Sequence, residues 1–272
     1  MLKQRVITAA CLAAVLFLIL WSGSSVLFGM FLLVFFGAAS WENARLFENK
    51  YPVMTGVVAC LVFAGAACFL SIREYIWLAM IACAIWGVFL IPALFRQMPG
   101  LGTPFNAVCQ WVYWFSVLCS VLSVWVLYRR SVFFLLSILV VIWLADIGAY
   151  FAGRTFGKHK LAPSISPGKT WEGVAGGVVA VLAAGVVTVL VSPSQENVAV
   201  SVYNRYGWAG MIVSLVVLVA LSILGDLLES KLKRRVGMKD SSNLLPGHGG
   251  VLDRIDSVIP TLPVALLLGL WL

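Results

Sequence analysis

Apolar residues in this chain run in long blocks, not in alternation, and polar residues are confined to short gaps between the blocks. A bilayer core about 30 Å thick needs roughly 20 apolar residues in a helix, so blocks of this kind predict membrane spans. Nine blocks qualify: 6–21, 25–40, 53–71, 75–95, 107–128, 132–152, 174–191, 208–228 and 257–272. The first, second and last are short; at about 1.5 Å per residue each covers roughly 24 Å, which leaves local thinning or an N-terminal re-entrant hairpin open. The start, with Lys3 and Arg5 before an apolar run and then Ser22 to Ser25, also resembles a signal peptide. Eight further blocks behind it favour an uncleaved first span. The expected fold is an all-α polytopic membrane protein of about nine helices.

Two polar stretches are long enough to carry chemistry, 153–173 and 229–256. We divide the chain into residues 1–128, N-terminal helices of little diagnostic content, and 129–272, a catalytic region holding both stretches. With the N-terminus inside, 15 of the 19 basic residues fall on inner segments, and only Arg73, Arg129, Arg130 and Arg205 fall outside. That bias follows the positive-inside rule, with Arg129-Arg130 the awkward pair. Two blocks separate the long loops, so they share a side whatever the count upstream.

Composition sharpens this picture. The chain is 62% apolar and 11% charged with a net charge of +8, against about 45–50% and about 25% in soluble domains. Soluble globules and disorder are excluded, and the positive balance is read as topology and not as nucleic-acid binding. The six cysteines lie inside apolar blocks with no CxxC pair, so no disulfide or thiolate metal site is inferred.

With only 11 carboxylates, placement is informative. Asp146, Glu172, Asp226, Glu229, Asp240, Asp253 and Asp256 belong to the two loops or the helix ends beside them. Asp146 and Asp226 lie towards the inner ends of apolar blocks, where an unpaired charge costs several kcal/mol; they face a cavity, a cation or a functional site, unless simply hydrated at the interface. Asp226, Glu229, Ser230 and Lys233 share one helical face, and Asp253 and Asp256 share another. Carboxylates and a hydroxyl from two helix ends suit a hard cation such as Mg²⁺. His248 has no second histidine at ligand spacing, which speaks against zinc.

The anion side is equally visible. Residues 166–170, Ser-Pro-Gly-Lys-Thr, and 245–250, Leu-Pro-Gly-His-Gly-Gly, are read as Gly-containing turns on one side of the membrane. Glycine lets backbone N–H groups approach phosphate oxygens, and Lys169, Lys239, Arg234 and His248 could neutralise charge there. Together with the carboxylates these suggest a metal–polyphosphate site.

The run Ser230, Lys233, Arg234, Lys239, Asp240, Pro246, His248, Gly249, Gly250, Asp253, Arg254 and Asp256 resembles the diagnostic motif of the phosphatidate cytidylyltransferases (CDP-diacylglycerol synthases). Residues 146–150, 153–157 and 166–173 resemble the same family, so the specific likeness spans about 143–258. The resemblance implies transfer of a cytidylyl group from CTP to phosphatidic acid, giving CDP-diacylglycerol and pyrophosphate for phospholipid biosynthesis. It implies Mg²⁺, with a second monovalent or divalent cation left open, and a homodimer in the bacterial plasma (inner) membrane with its site facing the cytoplasm. On this reading Asp226 and Asp253 hold the cation, with Asp256, Glu229 and Ser230 as further ligands or support. Lys239, Lys169 and Arg234 neutralise the triphosphate. Gly247, His248, Gly249 and Gly250 cradle phosphate, alongside Ser166 and Thr170. Asp146, Tyr150 and Arg154 shape the substrate pocket, Asp240 orients Lys239, and Arg254 is catalytic or pairs with a carboxylate. The lipid phosphate is already ionised at neutral pH, so no activating Ser–His or Cys–His pair is needed.

Three alternatives stand beside it: a CTP-dependent lipid kinase, a cytidylyltransferase for another lipid phosphate, and a transporter. The last is disfavoured, because no inverted repeat is visible and the acidic residues gather at one face instead of the midplane.

Overall fold

The computed structural model describes residues 2–271, with side chains for 7–270; the side chains of Lys3 and Arg5, used in the charge argument, lie outside the described residues. Eleven α-helices follow one another: α1 Leu2–Ser22, α2 Ser25–Leu46, α3 Pro52–Phe69, α4 Ile72–Ile85, α5 Ile91–Phe95, α6 Pro104–Arg130, α7 Val132–Phe156, α8 Trp171–Val191, α9 Val198–Arg235, α10 Leu252–Ile255 and α11 Val258–Trp271. A π turn at Trp86–Leu90 joins α4 to α5. Pro92 has no N–H to offer the preceding turn, and a widened turn is how a helix absorbs that loss.

Among the described residues seven helices are long and apolar enough to span a membrane: α2, α3, the α4–α5 unit, α6, α7, α8 and α9. The apolar stretches Ile7–Ser22 and Val258–Leu270 are shorter. The second block is longer than its sequence suggested. It continues through Trp41, Glu42 and Asn43 to Leu46, where the Glu42 carboxylate and the Asn43 Nδ2 find partners inside the protein. Helix starts carry the residues that satisfy free N–H groups: Ser24, Thr103, Ser131, Thr170 and Asn197 each accept from the amide three residues on. Gly207, at φ 67°, breaks α9 just before the apolar block expected from 208.

α7 packs closely along α8, and α9 lies against α8 and α11. The α7–α8 contact depends on missing side chains: a Cβ on Gly177 would sit 2.7 Å from the Ala145 carbonyl oxygen, and one on Gly148 would sit 2.8 Å from that of Gly176. α11 fills the space between α4, α6 and α9.

The polar ends sort by side. Arg130 approaches Glu196 at one end of the bundle. At the other end Thr8 donates to the Pro246 carbonyl, Lys231 caps the carbonyls of Ala93, Leu94 and Arg96, and Arg235 donates to Asn106. Arg129 and Arg130 therefore lie across the bundle from both long loops.

The 153–173 stretch corrects one expectation. Residues 166–170 are not a turn but a strand, β2 Ser166–Thr170, paired antiparallel with β1 Lys160–Ala162 through a bulge. The turn lies at 163–165. The pairing carries Lys169 back over the helix ends.

Candidate active site

Three elements meet at this end of the bundle: the β1–β2 hairpin, the last turns of α9, and the 236–257 segment with α10. They enclose a cavity of about 590 Å³ lined by Asp146, Tyr150, Ser166, Lys169, Thr170, Asp226, Lys233, Asp240, Asp253, Arg254 and Asp256 among others. Both long loops, with the adjoining ends of α7 and α9, thus line one cavity.

Ion pairs stitch the loops together. Lys169 Nζ lies 2.5 Å from Asp226 Oδ2, joining the hairpin to α9. Lys233 Nζ lies 2.5 Å from Asp253 Oδ1 and also contacts Glu229 one turn back on α9. Glu229 is fully buried, and neither of its oxygens receives a hydrogen bond, so the Lys233 ammonium is its compensation. Ser230 donates its hydroxyl to Asp226 at 3.2 Å. Asp253 is saturated: besides Lys233, its Oδ2 accepts from the Ser241 amide (2.8 Å), the Ser241 hydroxyl (3.0 Å) and the Gly250 amide (2.7 Å). Burial pushes the Asp253 carboxyl up, but Lys233 and the Gly250 and Ser241 donors outweigh it, and the net shift is downwards. Asp256 differs. It accepts from the Ser257 amide at 2.6 Å, and its own burial, followed by the like charge of Asp226, pushes it up to about 7.

Several expected site residues point elsewhere. Lys239 is exposed and does not line the cavity. Arg234 lines a separate cavity with Gln97 to Leu101 and donates to the Met238 carbonyl. Arg154 reaches Tyr150 Oη at 3.1 Å and does not enter the cavity. Thr170 spends its hydroxyl capping α8. His248 offers its carbonyl to Arg254 Nη2 at 2.8 Å, while its Nδ1 is buried without a partner. Gly247 and Gly249 take positive φ, 77° and 84°, and Leu245 pairs with Gly249 across the turn. The Gly250 N–H, expected to cradle phosphate, is committed to Asp253. The turn is therefore folded around Asp253 more than opened towards a ligand. The donor set still suits a hard cation in one place: Asp226 and Asp256 bring carboxylates to the same cavity, with the Ser230 hydroxyl on Asp226, which matches the one or two protein carboxylates that Mg²⁺ takes beside substrate phosphates. The described residues contain no ready-made cluster of three or more metal-ligating side chains.

Sequence reasoning passes over Glu42. This α2 residue is fully buried and accepts from the hydroxyls of Ser241 and Ser242 and from the amides of Val251 and Leu252. The signal exists, because Glu42 is a carboxylate ending an apolar run, the criterion that singles out Asp146 and Asp226. Helical spacing puts Lys233 on the right face but does not reveal the central role its two ion pairs give it.

A family model described as "Cytidylyltransferase family" matches residues 3–271. Among curated relatives, a protein of Haemophilus influenzae named phosphatidate cytidylyltransferase is 35% identical over 97% of this chain and 96% of its own. One of Pseudomonas aeruginosa with the same name is 39% identical over 100% of this chain and 97% of its own. A Brucella suis protein, again so named, is 46% identical over 47% of this chain and 44% of its own.

Proposed function

The chain belongs to the cytidylyltransferase family, and on that premise we propose that it transfers a cytidylyl group from CTP to phosphatidic acid. The products are CDP-diacylglycerol, for phospholipid biosynthesis, and pyrophosphate. The observation that carries this reading is the cavity at the ends of α7 and α9, where lysines and an arginine from two loops stand among five aspartates on an otherwise apolar protein.

The chemistry asks for positioning and charge neutralisation. An oxygen of the lipid phosphate attacks the α-phosphorus of CTP while the bond to the pyrophosphate oxygen breaks, so two anions must be brought together. Lys169, Lys233 and Arg254 present positive charge to the cavity, and a ligand phosphate would compete with Asp226 for Lys169. Asp226 and Asp256, with Ser230 beside them, would hold Mg²⁺. When bound, that ion would neutralise phosphate oxygens and the charge building on the leaving pyrophosphate. Asp253 supports the site from beneath, tying Lys233 to the 241–250 turn. Asp146 and Tyr150 shape the wall nearest α7. Lys239, Arg234 and the 247–250 turn do not line the cavity, and their part in binding the nucleotide rests on the family resemblance alone.

The positive-inside bias supports placing this site at the cytoplasmic face of a bacterial inner membrane. The homodimer rests on the family resemblance alone, and in-membrane cross-linking tests it. For the reaction, the test is incubation of membranes carrying the protein with α-labelled CTP and phosphatidic acid, with and without chelation of Mg²⁺. Label enters a CDP-lipid only in the untreated sample. Absence of that product under every condition overturns the reading. Transfer of γ-label into lipid would indicate the lipid kinase instead.

A further inference from the structure

We propose that Glu42 is a positioning residue for the reaction: from the second helix, it clamps the 241–252 segment in the shape that presents Asp253 and Arg254 to the cavity. The inference rests on the cytidylyltransferase reading above.

The geometry is specific. Glu42 lies one turn before the end of α2, about 200 residues from its partners, and is fully buried. Oε1 accepts from Ser242 Oγ (2.5 Å) and the Val251 amide (2.9 Å); Oε2 accepts from the Leu252 amide (2.7 Å) and Ser241 Oγ (3.1 Å). The carboxylate thus ties the two sides of the glycine turn, 241–242 and 251–252. No Lys or Arg forms an ion pair with it among the described residues, so these donors are its compensation. A charged acceptor among converging donors makes stronger, more directional bonds than a neutral one. Ser241 passes the constraint on, because its single hydroxyl proton is shared between Glu42 Oε2 and Asp253 Oδ2. Gly250 is required at this point, since a Cβ there would collide with Glu42 Oε1 and Ser241 Oγ. Leu252 and Asp253 are adjacent, so the bond that fixes the Leu252 amide fixes the start of α10, which carries Asp253 and Arg254.

A carboxylate is needed here, not merely a polar side chain. A glutamine in place of Glu42 would keep one acceptor oxygen and set an NH2 donor at the other position, facing the N–H of Leu252 or of Val251. That confronts donor with donor and frees one of the two backbone amides that the carboxylate holds.

The test uses the purified full chain in phosphatidylcholine vesicles containing phosphatidic acid, assayed with CTP and Mg²⁺ well below the melting temperature of every variant. Glu42→Gln should lower kcat per folded molecule about 10- to 100-fold, the scale of a misplacement near 1 Å. Amide exchange across 250–252 should quicken. Ser242→Ala removes one donor to Glu42, along with the acceptor of the Leu244 amide, and should cost about two- to tenfold, the scale of one to two hydrogen bonds. It also carries the test if Glu42→Gln does not fold. Because Ser242 acts through Glu42, the double variant should be within about twofold of Glu42→Gln alone. Ser116→Ala serves as the stability control: it removes a buried bond from Trp86 Nε1, neither residue lines the cavity, and it should lower the melting temperature without changing kcat. Folded Glu42→Gln with wild-type kcat and unchanged exchange overturns the proposal. So does a kcat loss that Ser116→Ala reproduces at equal destabilisation. A wild-type protein that makes no CDP-lipid overturns the functional reading instead, while the exchange comparison still decides whether Glu42 holds the turn.

Discussion

Lys233 is the residue whose removal should be felt most, and the reason can be put in numbers. Its ammonium contacts Glu229, fully buried and receiving no hydrogen bond, and lies 2.5 Å from Asp253. Lys233→Met keeps much of the side-chain volume but leaves Glu229 as an uncompensated buried carboxylate, a change that costs about 3–5 kcal/mol. Asp253 suffers less, because three other donors remain on its Oδ2. At about 2–4 °C per kcal/mol for a chain of this size, the melting midpoint in detergent should fall by about 6–20 °C. The double variant Lys233→Met with Glu229→Gln removes both charges and should recover most of that loss, since replacing both members of a buried pair is often near neutral. The assay is the midpoint of heat-induced loss of monodisperse protein, for wild type, both single variants and the double. If Lys233→Met melts with wild type, or the double is no more stable than Lys233→Met, then Glu229 is not held by Lys233 and the ion-pair account of this end of α9 is wrong.

Other outcomes follow from the same geometry. Asp226→Asn should lower CTP-dependent turnover by orders of magnitude while the protein still inserts, read by labelled product per inserted protein; near-normal turnover would remove Asp226 from the cation site. Lys169→Ala should reduce turnover about a hundredfold or more, on the scale of one charge-stabilising donor, with Lys169→Arg retaining more. Gly177→Ala drives a methyl towards the Ala145 carbonyl oxygen and should destabilise by about 1–3 kcal/mol, seen as a lower melting midpoint. For Asp256 the sign is set by its raised carboxyl: the folded protein holds a proton that the unfolded chain releases near 3.8, so in Mg²⁺-free buffer this group makes stability fall as pH rises from about 4 to about 7. Melting midpoints of Asp256→Asn should lack that component of the slope.

Much of this is legible in the sequence, for a physical reason. In an apolar chain each charge must have a partner or an exit to water, so Asp146 and Asp226 imply a cavity from their placement alone. The shared side of the two loops follows from counting the spans between them. What stays hidden depends on three-dimensional pairing. The strand at 166–170 reads as a turn because Pro167 and Gly168 are turn formers, and only pairing with Lys160–Ala162 makes it extended. Gly249 and Gly250 look like a phosphate cradle, yet they are small because Asp253, Ser241 and Glu42 crowd them. Spacing alone cannot distinguish a glycine that admits a ligand from one that admits a neighbouring carboxylate.

The same distinction bears on the N-terminal helices, which look like generic apolar spans. Four of their polar contacts reach the site end: Thr8 on the Pro246 carbonyl, Glu42 under the glycine turn, the α5 carbonyls on Lys231, and Asn106 on Arg235. None of these residues lines the cavity. Thr8 and Glu42 fix the backbone of the 236–257 segment that does, and the other two anchor the Lys231 and Arg235 side chains of the last α9 turns. A membrane enzyme with almost no extramembrane domain has few ways to hold a long polar loop rigid. Here the rigidity comes from helix ends lying under the loop, with their polar groups turned inward. On the proposed reading the cavity-lining groups come from the second half of the chain, and helix ends of the first half add the order that chemistry by positioning requires.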